Sequence, residues 1–81
     1  MGNYLIMVNN GECTFNTKTT DDKIEALRLC RKWNEDDAIL GYKYFVLRDS
    51  DGQTWECING QMYRVNYKAD SANIEYKAVA I

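Results

Sequence analysis

The chain has 81 residues, 12 acids against 10 bases for a net charge of −2, and neither histidine nor proline. That length holds one domain, residues 1–81, of modest stability, because so small a domain buries only ~60% of its unfolded surface. The charge balance excludes the basic footprint of a typical duplex-binding module. Three cysteines with no Cys-x-x-Cys pair and no histidine exclude a structural zinc site.

Cys13, Cys30 and Cys57 each stand among apolar positions, where a free thiol behaves as a small buried hydrophobe. Free thiols point to the reducing cytosol. No apolar run approaches the ~20 residues of a membrane span. The start, Met1-Gly2-Asn3-Tyr4-Leu5-Ile6, lacks the Ser or Thr of a myristoylation signal at its sixth position. The expected setting is the cytoplasm, with no membrane contact.

In chain order, Tyr4, Ile6 and Val8 alternate, as do Cys13, Phe15 and Thr17, with Asn9-Asn10-Gly11 between them. This pattern predicts a hairpin. A two-residue turn at Asn10-Gly11 sets Val8 opposite Cys13 and Ile6 opposite Phe15, with a bulged three-residue turn as the alternative. A helix follows, from Asp22 to about Asn34. Thr19 or Thr20 offers a capping hydroxyl, Asp22 with Glu25 an alternative capping box, and Asp21 and Asp22 favourable charge for the helix dipole. Ala26, Leu27, Leu29, Cys30 and Trp33 form its apolar side.

After Gly41 the period becomes two. Strands are predicted over Tyr42–Arg48, Gln53–Ile58, Gln61–Lys68 and Ile74–Ala80, with a polar stretch at Ala69–Asn73. Asp49-Ser50-Asp51-Gly52 and Asn59-Gly60 read as type I turns with glycine in the left-handed position. That register pairs Leu47 with Trp55, Phe45 with Cys57, and Trp55 with Tyr63. The predicted class is α+β: a two-layer sandwich of one helix on an antiparallel sheet of five or six strands, in the order ββαβββ(β).

The sequence offers little for catalysis. The commonest acid–base residue is missing, Ser50 and Ser71 have no base in view, and the glycines are isolated turn residues. Asp49-Ser50-Asp51-Gly52 resembles a fragment of a calcium loop, but its glycine is misplaced for one. The reading is a non-enzyme without cofactor or metal.

A binding surface reads more clearly. Six tyrosines and two tryptophans exceed what a core under one helix needs. If Phe45 and Leu47 face the helix, then Tyr42, Tyr44, Val46 and Arg48 line the open face. Tyrosine and arginine on such a face are the residues of protein–protein hot spots. Tyr42, Tyr44 and Arg48 are therefore the first candidate contacts, with Asp36, Asp37, Asp49 and Asp51 supplying electrostatic complementarity. A partly exposed sheet surface with no partner is the plainer alternative. Single-stranded nucleic acid also stacks on aromatic rings, but here the bases are diluted by acids, as with Lys43 and Arg48 near Asp49, Lys68 near Asp70 and Lys77 near Glu75, which argues against it.

The hairpin Tyr4-Leu5-Ile6-Met7-Val8-Asn9-Asn10-Gly11, the helix Asp22–Trp33 and the meander Tyr42–Tyr67 together resemble small phage-encoded anti-defence inhibitors of the anti-CRISPR type. The resemblance spans nearly the whole chain in element order, without a shared residue motif, so it assigns no functional residues. It implies a non-catalytic inhibitor that occupies a surface of a host defence protein, such as a CRISPR effector complex. A self-assembling module, pairing as a homodimer through its open face or an edge strand, is the alternative.

Overall fold

Residues 4–8 are apolar at every position, so the first strand is apolar on both faces wherever the chain places it. In the computed structural model, which describes residues 2–67 and 74–81, that strand is β1 (Tyr4–Asn9). It is followed by β2 (Thr14–Thr20), helix α1 (Lys23–Asp36), one 3-10 turn (Ala38–Leu40), β3 (Lys43–Arg48), β4 (Thr54–Ile58), β5 (Gln61–Tyr67) and β6 (Ile74–Ala78). Among the described residues the strands form one antiparallel sheet in the order β2-β1-β3-β4-β5-β6. The predicted α+β sandwich is thus the fold. The polar stretch expected at Ala69–Asn73, and the strand end expected at Lys68, lie outside the described residues.

Helix α1 starts at Asp22, whose carboxylate accepts from the N–H groups of Ile24 and Glu25. The threonine expected to cap the helix acts one step earlier: the Thr20 hydroxyl accepts from Asp22 N–H. The helix outruns its expected end at Asn34 and stops at Asp36, where Asp37 N–H bonds the Trp33 carbonyl. Its apolar side buries Ala26, Leu27 and Cys30 against Ile6, Val46, Trp55 and Met62 from four different strands.

Each hairpin differs in register from the sequence reading. The first carries a four-residue loop, so Val8 pairs with Phe15 rather than Cys13. Asn10 is the cause: its side-chain oxygen accepts from Glu12 and Cys13 N–H, and its own N–H bonds the Cys13 carbonyl. That loop leaves Cys13 exposed, not buried as expected. A bulge then shifts Ile6 opposite Lys18.

The β3–β4 loop also holds four residues. Gly52 N–H reaches back to the Arg48 carbonyl, while Asp51 accepts two bonds from the Arg48 guanidinium. Asn59 and Gly60, at φ 52° and 80°, make a two-residue left-handed turn between Ile58 and Gln61. Trp55 consequently pairs with Val46 and Arg64, not with Leu47 and Tyr63, and Phe45 pairs with Glu56, not with Cys57.

Since successive residues point to opposite faces, this one-residue offset reverses the expected assignment. Tyr44, Val46 and Arg48 share the helix side with Trp55. Phe45 and Leu47 point away from it.

Candidate protein-interaction surface

The sheet face opposite α1 is built from residues that the observed register aligns in rows. One row runs Leu5, Leu47, Thr54, Val65, Tyr76 across β1, β3, β4, β5 and β6. The next runs Met7, Phe45, Glu56, Tyr63, Ala78. Ile74 extends the field along β6 and Ile58 along β4. Tyr76 and Ile74 are 47% and 43% exposed, while Val65, between Thr54 and Tyr76, is 2% exposed. Leu5, Met7, Phe45, Leu47 and Tyr63 are half-buried by their neighbours.

Glu56 stands inside this field between Phe45 and Tyr63, and Lys43 lies at its rim beyond Phe45. Among the described residues neither side chain has a hydrogen-bond or ion-pair partner.

The residues expected to form the site fall elsewhere, in two groups at opposite ends of β3. Tyr42, Tyr44, Asp36 and Asp37 gather where α1 ends. The Tyr44 ring packs on Trp33 with centroids 5.6 Å apart, and its hydroxyl donates to Asp37. Burial, and then that bond, push the Tyr44 phenol up to about 12. Asp36 is exposed, and Tyr42 is half-buried just before β3.

Arg48, Asp49 and Asp51 sit at the other end. Arg48 lies over the Trp55 ring at 5.4 Å, with Lys23 at 5.5 Å and Tyr4 against the same indole at 5.9 Å. Paired bonds from Arg48, and then one from Gln53 N–H, hold Asp51 down at about 2. Asp49 donates its N–H to the Asn3 carbonyl. The expectation that Tyr42, Tyr44, Val46 and Arg48 line the open face is therefore corrected: Val46 is buried beneath α1, Tyr44 and Arg48 lie on the same helix side of β3, and Tyr42 precedes the strand.

A groove opens beside Tyr44, where β3 and β4 part. Their pairing ends at Phe45 and Glu56, although the register would bring Cys57 opposite Tyr44. The carboxamide of Asn34 takes that place, donating to the Tyr44 carbonyl at 3.0 Å and accepting its N–H at 2.9 Å. Arg31, Lys43, Cys57 and Asn59 line the groove. Burial pushes the Cys57 thiol up, and pushes Cys30 to about 12, so both stay protonated at neutral pH. Among the described residues no group of three or more Cys, Asp or Glu could hold a metal ion, and no helix is long and apolar enough to cross a membrane.

The open-face residues were legible in one respect. An unbroken apolar run such as Tyr4–Val8 declares both faces apolar, and the same holds for Tyr44–Leu47. Comparison of the chain with protein-family models, with curated proteins and with solved structures gives no match.

Proposed function

We propose that this domain is a non-catalytic protein-binding module that docks its uncovered sheet face on another protein. The observation that carries the reading is the continuity of that face. Two adjacent rows present Leu5, Leu47, Tyr76, Met7, Phe45 and Tyr63 around the buried Val65, interrupted by one charge, Glu56. Contiguous apolar fields on the surface of a small domain mark sites of association. Leucine, methionine and aromatic side chains around a single polar group match the composition of an interface centre. An inhibitor of phage or mobile-element origin, occupying a surface of a host defence complex, is one form of this proposal. Only the likeness in element order supports that form.

The test is capture by the tagged chain from a bacterial lysate, with nuclease present, comparing wild type with two variants. Phe45→Glu places a charge in the middle of the face, whereas Arg28→Glu alters the exposed side of α1. The expected result is a protein held by the wild type and by Arg28→Glu but lost with Phe45→Glu. Retention by Phe45→Glu together with loss in Arg28→Glu would move the surface to the helix layer and overturn the proposal.

A further inference from the structure

We propose that β6 is an interaction edge whose occupant is the β6 of a second copy, added antiparallel about a two-fold axis through Tyr76. This contact lies beside the open face and leaves that face uncovered. Among the described residues β2 and β6 end the sheet, and they differ as edges. β2 carries a bulge, where Thr17 is left between the partners of Ile6 and Met7, and its Lys18 lies 3.7 Å from Glu25 of α1. Bulges and lysines keep an edge from recruiting further strands. β6 instead pairs with β5 in unbroken register from Ile74 to Ala78, and all its residues are exposed. Val79 N–H donates to the Met62 carbonyl at 3.0 Å, which fixes the phase of the strand. By alternation Glu75 and Lys77 turn their backbone groups toward β5, while Ile74, Tyr76 and Ala78 turn theirs away from the sheet. Outward N–H and C=O groups of this kind are what an added strand pairs with.

Backbone groups accept any strand, so the side chains choose the occupant. Read in reverse, Ile74-Glu75-Tyr76-Lys77-Ala78 is complementary to itself. An axis at Tyr76 sets each Glu75 opposite the other copy's Lys77, Ile74 opposite Ala78, and Tyr76 opposite Tyr76, an aromatic cross-strand pair. An axis at Glu75 or Lys77 would set like charges opposite one another, which is destabilising. An axis at Ile74 or Ala78 carries half of β6 past its partner, so one register stands out. Within a single chain Lys77 is opposed by a like charge, Arg64 of β5, whose Nε donates to the Gln53 side-chain oxygen. The second copy's Glu75 reaches Lys77 from the side that Arg64 does not occupy and offsets that opposition. The contact is isologous, so the two charge links are identical. It also gathers Tyr76 and Ile74, two of the exposed large apolar residues, at the junction. A strand pair this short makes a small interface and hence a reversible dimer.

Sedimentation velocity of the full chain from micromolar to millimolar concentrations is the test. The wild type should pass from monomer to dimer within that range. Glu75→Lys and Lys77→Glu should each weaken the dimer by ~10-fold, because the two-fold axis turns either change into two like-charge pairs. The double variant, Glu75→Lys with Lys77→Glu, should restore it. Lys77→Glu also sets a carboxylate opposite Arg64. Urea unfolding should therefore find its fold no less stable than the wild type while its dimer weakens, which separates association from folding. Ala78→Pro removes an N–H that faces away from β5, a place where an edge strand tolerates proline, and should hold the chain monomeric. Phe45→Glu, in the open face, should leave the dimer unchanged. A wild-type chain still monomeric at millimolar concentration overturns the proposal. So does a dimer that tolerates Ala78→Pro and both charge reversals, or one that is lost with Phe45→Glu, since either places the contact on another surface.

Discussion

Tyr44 packs its ring on Trp33, donates its hydroxyl to Asp37 and has both its backbone groups engaged by Asn34. From sequence, an aromatic on a strand face is equally a contact residue or a structural one, and here the neighbours decide. Tyr44→Ala is expected to cost about 2 kcal/mol of stability, less than a fully buried aromatic because the side chain is half-exposed. Urea unfolding measures this, and capture of a partner through the open face should survive in whatever fraction stays folded. Asp51 gives a second prediction at this scale. Arg48, and then Gln53 N–H, lower its folded-state value from 3.8 to about 2. Its contribution is therefore fully present above pH 3.8 and fades as the pH falls toward about 2. An acid titration of wild type against Asp51→Asn should show the difference between them closing over that window.

At the scale of elements, the split between β3 and β4 depends on one side chain. The Asn34 carboxamide meets the two Tyr44 backbone groups that strand pairing would otherwise satisfy, and it also donates to the Cys30 carbonyl of its own helix. Asn34→Ala strands an N–H and a C=O at the floor of the groove, a loss of about 1–3 kcal/mol. Amide exchange at Tyr44 should accelerate beyond that of Val46, which keeps its pairing with Trp55. The elements themselves were legible, because alternation or an unbroken apolar run between turn residues marks the strands and Asp22 with the Ala26-Leu27-Cys30 stripe marks the helix. The registers were not. Asn10 and Asp51 each lengthen a loop to four residues through side-chain bonds to backbone N–H groups, and in sequence such loops look like the two-residue turn expected at Asn10-Gly11 and the three-residue turn expected before Gln53. One residue more in the β3–β4 loop carried Val46 under the helix and turned Phe45 outward, so the candidate surface kept its location on the open sheet but exchanged its residues.

For the molecule as a whole, one helix on a six-stranded sheet leaves a face that nothing in the described chain covers. The binding proposal depends on which side of β3 that face presents. Neighbouring residues resolve this, because Phe45 and Val46 point to opposite sides: Val46 is fully buried beneath α1, while Phe45 stands in the open row. Urea unfolding of Phe45→Glu and Val46→Glu side by side is the most direct measurement. The account predicts that Phe45→Glu keeps a cooperative transition, while Val46→Glu, which buries an unpaired carboxylate in the core, leaves no folded baseline. A folded Val46→Glu beside an unfolded Phe45→Glu would mean that the helix covers the other face, and would contradict the proposed surface.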